Sequence, residues 1–225
     1  MTFSIAARCA DTGRFAIVVS SSSPAVAARC AFARAGVGAV ATQNLTDPTL
    51  GPKGLDLMAR GASAEEAMAE LRRSAPHADY RQLTAVDTKG GTAVFSGAYT
   101  LGTFGAAQSQ DAVAAGNLLA NLAVPDAMIA AFEASTGADL GDRMLGAMGA
   151  ALEAGGEAGP VRSAGLVMVD RVPWPVADLR VDWDEHDPIA ALARLWKLWK
   201  PQLSSYVTRA VDPSSAPGYG VLGEE

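Results

Sequence analysis

The first seven residues after Met1 form an alternating strand-like run, with Phe3, Ile5 and Ala7 on one face and Thr2, Ser4 and Arg8 on the other. Asp11-Thr12-Gly13 supplies a turn, and residues 14–20 alternate again with Phe15, Ile17 and Val19 on one side, so the two segments read as a hairpin. A short apolar strand is expected over residues 36–43, ending in Gln43-Asn44-Leu45. Helical spacing follows: Leu55 and Met58 precede Gly61, and Ser63 with Glu66 forms a capping box for a helix carrying Ala67, Met68 and Leu71. Residues 82–87 and 92–96 flank Lys89-Gly90-Gly91 as a second hairpin. Pro125 opens a helix with Met128, Ile129 and Phe132 on one face, and Asp139 caps another bearing Leu140, Met144, Leu145, Met148 and Leu152. Residues 164–169 and 179–183 are strand-like, and Asp187-Pro188 starts a last helix with Ile189, Leu192, Leu195, Trp196 and Trp199 in one stripe.

Strands, two helices, strands, two helices, strands: this grouping predicts an α+β fold of two stacked, mainly antiparallel sheets flanked by helices, not a regular βαβ alternation. Residues 1–211 read as one domain. Residues 212–225, with Pro213, Ser214, Ser215, Pro217 and several glycines, read as a flexible C-terminal tail. The chain of 225 residues is 49% hydrophobic and 19% charged, enough to bury one good core. Its formal charge of −6 argues against a nucleic-acid partner and against adhesion to anionic membranes. No signal peptide or membrane span is read from the sequence, so a cytoplasmic location is expected. Cys9 and Cys30 do not make a disulfide framework, His77 and His186 suggest no metal site, and no cofactor is expected.

Chemistry concentrates at position 2. If Met1 is removed, Thr2 carries a hydroxyl and a free α-amine, so nucleophile and base share one residue. An α-amine with a pKa near ~7.7 to 8 is partly unprotonated at neutral pH and needs little tuning to take the hydroxyl proton. While Met1 stays attached, the nitrogen is an amide without a basic lone pair. Gln43, Asn44, Arg81, Gln82 and Asn117 lie at the ends of apolar segments, where a rigid scaffold often builds a site. Asn117, after Gly116, is the best candidate for an oxyanion donor, and the other four are candidate substrate contacts. Singly, each is more often a turn or capping residue. Gly36-Val37-Gly38-Ala39-Val40-Ala41 fits a loose G-x-G-x-x-A pattern but lies in a strand-like run, so close packing is a better account than a phosphate cradle. The stripe of Leu192, Trp196, Trp199 and Leu203 is expected to be core or a self-association face, pointing to a homodimer or higher homo-oligomer.

The ordered set TFSIAAR, ADTGRFAIVVSS, ARAGVGAVATQ, GPKGLDLMARG, RQL, AAGNLLA and RSAGLVMVD resembles one bacterial family, domain of unknown function 1028, from Thr2 to about Leu198. That family is similar to the N-terminal-nucleophile (Ntn) hydrolase superfamily. The resemblance implies a four-layer αββα sandwich and an amidohydrolase that cleaves a small amide-containing substrate through an acyl-enzyme on Thr2. It makes the Gly116-Asn117 segment an oxyanion contributor, and Gln43 and Arg81 pocket residues. The alternative is a non-catalytic binding or assembly protein on the same fold.

Overall fold

The computed structural model describes residues 1–221. A six-stranded sheet has the order β10-β9-β2-β1-β8-β7, built from β1 (Thr2–Arg8), β2 (Phe15–Ser21), β7 (Gly105–Ser109), β8 (Ala112–Asn117), β9 (Ser163–Val169) and β10 (Ala177–Val181). A four-stranded sheet has the order β3-β4-β5-β6, from β3 (Ala31–Arg34), β4 (Gly38–Asn44), β5 (Arg81–Asp87) and β6 (Thr92–Ser96). All the strand pairings are antiparallel. The helices are α1 (Ala27–Cys30), α2 (Leu50–Ala59), α3 (Ala64–Ser74), α4 (Ala123–Ala134), α5 (Leu140–Glu153), α6 (Pro188–Trp199) and α7 (Leu203–Val211). Packing α4, α5 and α6 on the larger sheet, and α2 and α3 on the smaller, gives four layers in the order helix, sheet, sheet, helix. The expected α+β sandwich of two stacked antiparallel sheets is therefore present.

Three apolar clusters hold these layers together. Phe3, Ile5 and Ala7 of β1 join Met128 and Phe132 of α4 and Met144 and Met148 of α5 in the first. Val40, Leu83 and Ala85 meet Leu55 and Met58 of α2 and Met68 and Leu71 of α3 in the second. Between the sheets lies the third, with Ala6, Phe15, Ile17, Val19, Ala39, Val86, Val113 and Val167. Strand alternation then dictates what continues this inter-sheet layer. Every central strand changes character toward the same end: Ala6 gives way to Ser4 and Thr2, Val19 to Ser21, Ala39 to Gln43, Val86 to Gln82, and Val113 to Asn117. The filling between the sheets is thus apolar at one end and polar at the other.

Several expectations change in detail. β3, β7 and β8 are strands that the pattern did not announce. Two of them are rich in alanine and glycine, whose strand preference is weak, and pairing with β1 and β4 decides the outcome. Gly36 and Gly38 make the β3–β4 turn, and a Cβ at Gly38 would come 2.5 Å from the Val86 carbonyl oxygen, so this glycine serves close strand packing. The two tryptophans of the α6 stripe both make contacts within the chain. Trp196 is buried and donates from Nε1 to Asp142 at 2.8 Å, while Trp199 donates to the Val176 carbonyl at 2.9 Å and stacks on Tyr206. Part of the segment read as a tail packs on α7: Arg209 donates to the carbonyls of Pro217 and Gly218 and covers the Tyr219 ring. Residues 222–225 of that segment lie outside the described residues.

Phe3 is fully buried and ties the first strand to the helical layer directly beside Thr2. Phe3→Ala is expected to destabilise the fold by about 3–5 kcal/mol, read from urea unfolding.

Candidate active site

Thr2 lies at the polar end of the inter-sheet layer, paired with Asn117 across β8. Parity places its side chain between the sheets, because Phe3 turns to the helices. Thr2 is 6% exposed. Its Oγ1 hydrogen-bonds the Met1 carbonyl oxygen and lies 3.3 Å from Oγ of Ser21, which donates to the same carbonyl. The Ser23 backbone N–H donates to Oγ of Ser21 at 3.1 Å, fixing that hydroxyl.

Beneath Thr2 runs a continuous chain of side-chain amides. Ser4 donates to Oε1 of Gln43 at 2.7 Å, and Nε2 of Gln43 donates to Oε1 of Gln82 at 2.8 Å and to the Ala115 carbonyl at 3.2 Å. Gln82 donates to the Gly116 carbonyl and to Ser96 Oγ, each at 3.0 Å, while Nδ2 of Asn117 donates to Oε1 of Gln82 at 3.1 Å. Gln43, Gln82 and Asn117 are completely buried, and this network bridges the two sheets. Oδ1 of Asn117 is buried without a hydrogen-bond partner. One Nδ2 N–H of Asn117 goes to Gln82, and its unpartnered Oδ1 is an acceptor.

The remaining two expected contacts lie elsewhere. Asn44 and Arg81 occupy alternate positions from Gln43 and Gln82, which turns their side chains away from the inter-sheet layer. Asn44 instead clamps a loop, donating to the Tyr80 and Tyr99 carbonyls and accepting from the Leu101 N–H. Arg81 donates to the Leu45 carbonyl. Asn44 and Leu118, immediately beyond Gln43 and Asn117, both have positive φ, 70° and 52°. For leucine this is a strained conformation, and such strain concentrates at functional sites. Leu118 is held there by its N–H on the Leu101 carbonyl and its carbonyl under the Ala158 N–H. The connection from β6 to β7 thus crosses from one sheet to the other over this end, carrying the exposed side chains Tyr99, Leu101 and Phe104.

Sequence reading missed Glu157 and Ser21. Glu157 is 5% exposed, bridges to Leu119 in the segment between α5 and β9, accepts from the Ser22 N–H on Oε2 at 3.2 Å, and leaves Oε1 without a partner. Burial raises its carboxyl from the ordinary 4.5 to about 7, against the opposing pull of the α-amine at the chain start. Its only local signal is the glycines around it; Ser22, whose N–H it accepts, lies 135 positions away in sequence. Among the described residues no three His, Cys, Asp or Glu side chains group as metal ligands.

A cavity of about 450 Å³ opens at the other, apolar end of β1, beside Arg8, Cys9, Arg14, Asp111 and Arg143. Its arginines are already engaged: Arg8 with Asp111 at 2.7 Å, Arg14 with Asp170 at 2.9 Å, and Arg143 with the Phe132 carbonyl at 3.0 Å. The partnerless Oδ1 of Asn117 and Oε1 of Glu157, the strained Leu118 and the Thr2 hydroxyl lie at the polar end, which is the candidate site.

Gln82→Ala strips partners from both Gln43 and Asn117, and is expected to lower stability by about 2–4 kcal/mol in denaturant titration. Between pH 4.5 and about 7 the unfolded chain has released the Glu157 proton that the folded chain retains. Stability contributed at this position therefore falls as pH rises through that window, by on the order of a few kcal/mol. Glu157→Gln is expected to flatten that decline and to melt higher than the parent at pH 8, measured by thermal unfolding across pH.

Comparison with known proteins places the chain in a family. No curated protein matches it. The crystal structure of protein SPO2555 from Silicibacter pomeroyi, assigned to DUF1028, superposes with a TM-score of 0.81 at 28% identity, covering 88% of each chain. Anbu (ancestral beta-subunit) from Yersinia bercovieri aligns over 92% of this chain and 97% of its own, but with a TM-score of 0.39 and 12% identity, a likeness from which nothing is argued. The model of the family of unknown function DUF1028 matches residues 2–192, and the chain belongs to that family.

Proposed function

We propose that this protein is an N-terminal-nucleophile amidohydrolase acting on a small amide through Thr2. The observation that carries the reading is the placement of the Thr2 hydroxyl: second in the chain, at the polar end of the inter-sheet layer, 3.3 Å from Ser21 Oγ. Removal of Met1 would convert the Thr2 nitrogen from an amide to an amine adjoining its own hydroxyl. That amine takes the hydroxyl proton as Oγ1 attacks the substrate carbonyl, and water then cleaves the resulting ester. Ser21 Oγ, which donates to the Met1 carbonyl, is the group placed to donate to a substrate carbonyl oxygen. Gln43, Gln82 and Asn117 hold β1, β4, β5 and β8 in fixed relation beneath the nucleophile.

A second reading, a binding or assembly protein that does no chemistry, is favoured by the state of Thr2 with Met1 in place: the nitrogen is acylated and the hydroxyl is buried. The two readings separate on one reagent. Protein whose intact mass shows loss of Met1 is expected to gain an acetyl group on residue 2 from p-nitrophenyl acetate, with a burst of nitrophenolate, and Thr2→Ala is expected to fold and lose both. A Thr2→Ala variant that acylates and turns over like the parent rules the nucleophile out.

A further inference from the structure

Met1 is itself an α-aminoacyl group, joined by an amide to the proposed nucleophile, and its surroundings describe what such a group meets there. Its carbonyl oxygen accepts from Thr2 Oγ1 and Ser21 Oγ. Its side chain lies over Gly159, where an added Cβ would come 3.3 Å from Cε and 3.6 Å from Sδ. Its α-amine lies within electrostatic reach of Glu157. Among the described residues of this polar end, Glu157 is the one buried charged group, and its Oε1 has no partner. A buried carboxylate oxygen left unsatisfied is costly, and native structures keep few.

Building on the reading of Thr2 as nucleophile, we propose that the substrates are α-aminoacyl amides. In this arrangement Glu157 receives the free α-ammonium of the substrate, Ser21 its carbonyl oxygen, and the surface over Gly159 an unbranched apolar side chain. Electrostatics favour a cationic substrate over a neutral one. A substrate ammonium beside Glu157 favours the ionised form of a carboxyl that burial alone keeps protonated to about pH 7, and pairs with it.

The bonds balance without any co-reactant but water. Thr2 Oγ1 bonds to the acyl carbon as its proton passes to the Thr2 amine. The C–N bond then breaks, and that proton leaves with the departing amine. Water adds to the aminoacyl ester, freeing the amino acid and restoring the hydroxyl.

The test uses full-length protein lacking Met1, with L-methionine p-nitroanilide and its N-acetyl counterpart. The free-amine compound is expected to be cleaved at least about tenfold faster, the scale of one charge-assisted hydrogen bond, with the preference lost in Glu157→Gln. Gly159→Val is expected to slow the methionine anilide relative to glycine p-nitroanilide, a readout that does not depend on altering Glu157. Equal or faster cleavage of the acetylated compound, or a preference that survives Glu157→Gln, overturns the proposal. If neither methionine compound is cleaved while p-nitrophenyl acetate still acylates Thr2, the aminoacyl assignment falls and the nucleophile stands. If no acyl group reaches Thr2 from p-nitrophenyl acetate, both fall together.

Discussion

Three side-chain amides buried between two sheets, where water does not reach, set the terms for the rest of the molecule. Gln43, Gln82 and Asn117 each lose hydration on folding, and the loss is offset only if their hydrogen bonds are made within the protein. They bond to one another and to the backbone carbonyls of Ala115 and Gly116, which leaves Oδ1 of Asn117 as their one unpartnered oxygen. Because Gln43 and Gln82 belong to the smaller sheet and Asn117 to the larger, the network works only at one relative placement of the sheets. Apolar packing by Phe15, Ile17, Val19 and Val86 at the other end tolerates small adjustments; hydrogen-bond geometry tolerates far less.

Thr2 inherits its position from that arrangement. It stands opposite Asn117, its strand anchored on one side by β2 and on the other by β8, with Phe3 and Ile5 embedded in the helical layer. Two ladders and a core hold the strand in place. The exposed connection from β6 to β7, which carries Tyr99, Leu101 and Phe104, is fastened to both sheets across the same end.

Adjacent residues proved unequal for a simple geometric reason. Asn44 and Arg81 share polarity with Gln43 and Gln82 and touch them in sequence, yet a strand turns neighbours to opposite faces. One of each pair enters the amide network, and the other fastens loops at the sheet's outer side. The alternation was legible at the start of β1, where Thr2 and Ser4 exchange with Phe3 and Ile5, while β2 is apolar on both faces from Phe15 to Val19. In β4 and β8 small residues fill both faces, so parity had no marker until pairing with β5 and β1 supplied one.

The sequence by itself determined the stacked α+β architecture, the two hairpins and the helix starts at Ser63, Asp139 and Asp187. These are local properties: periodicity, capping and the identity of a side chain act over a few residues. Which polar residues share a space was decided only by the tertiary structure, because Thr2, Ser21, Gln82, Asn117 and Glu157 are brought together by strand order and sheet stacking. Glu157 is the clearest case, since burial and an α-amine more than 150 residues away give its carboxyl a character that no neighbouring residue predicts.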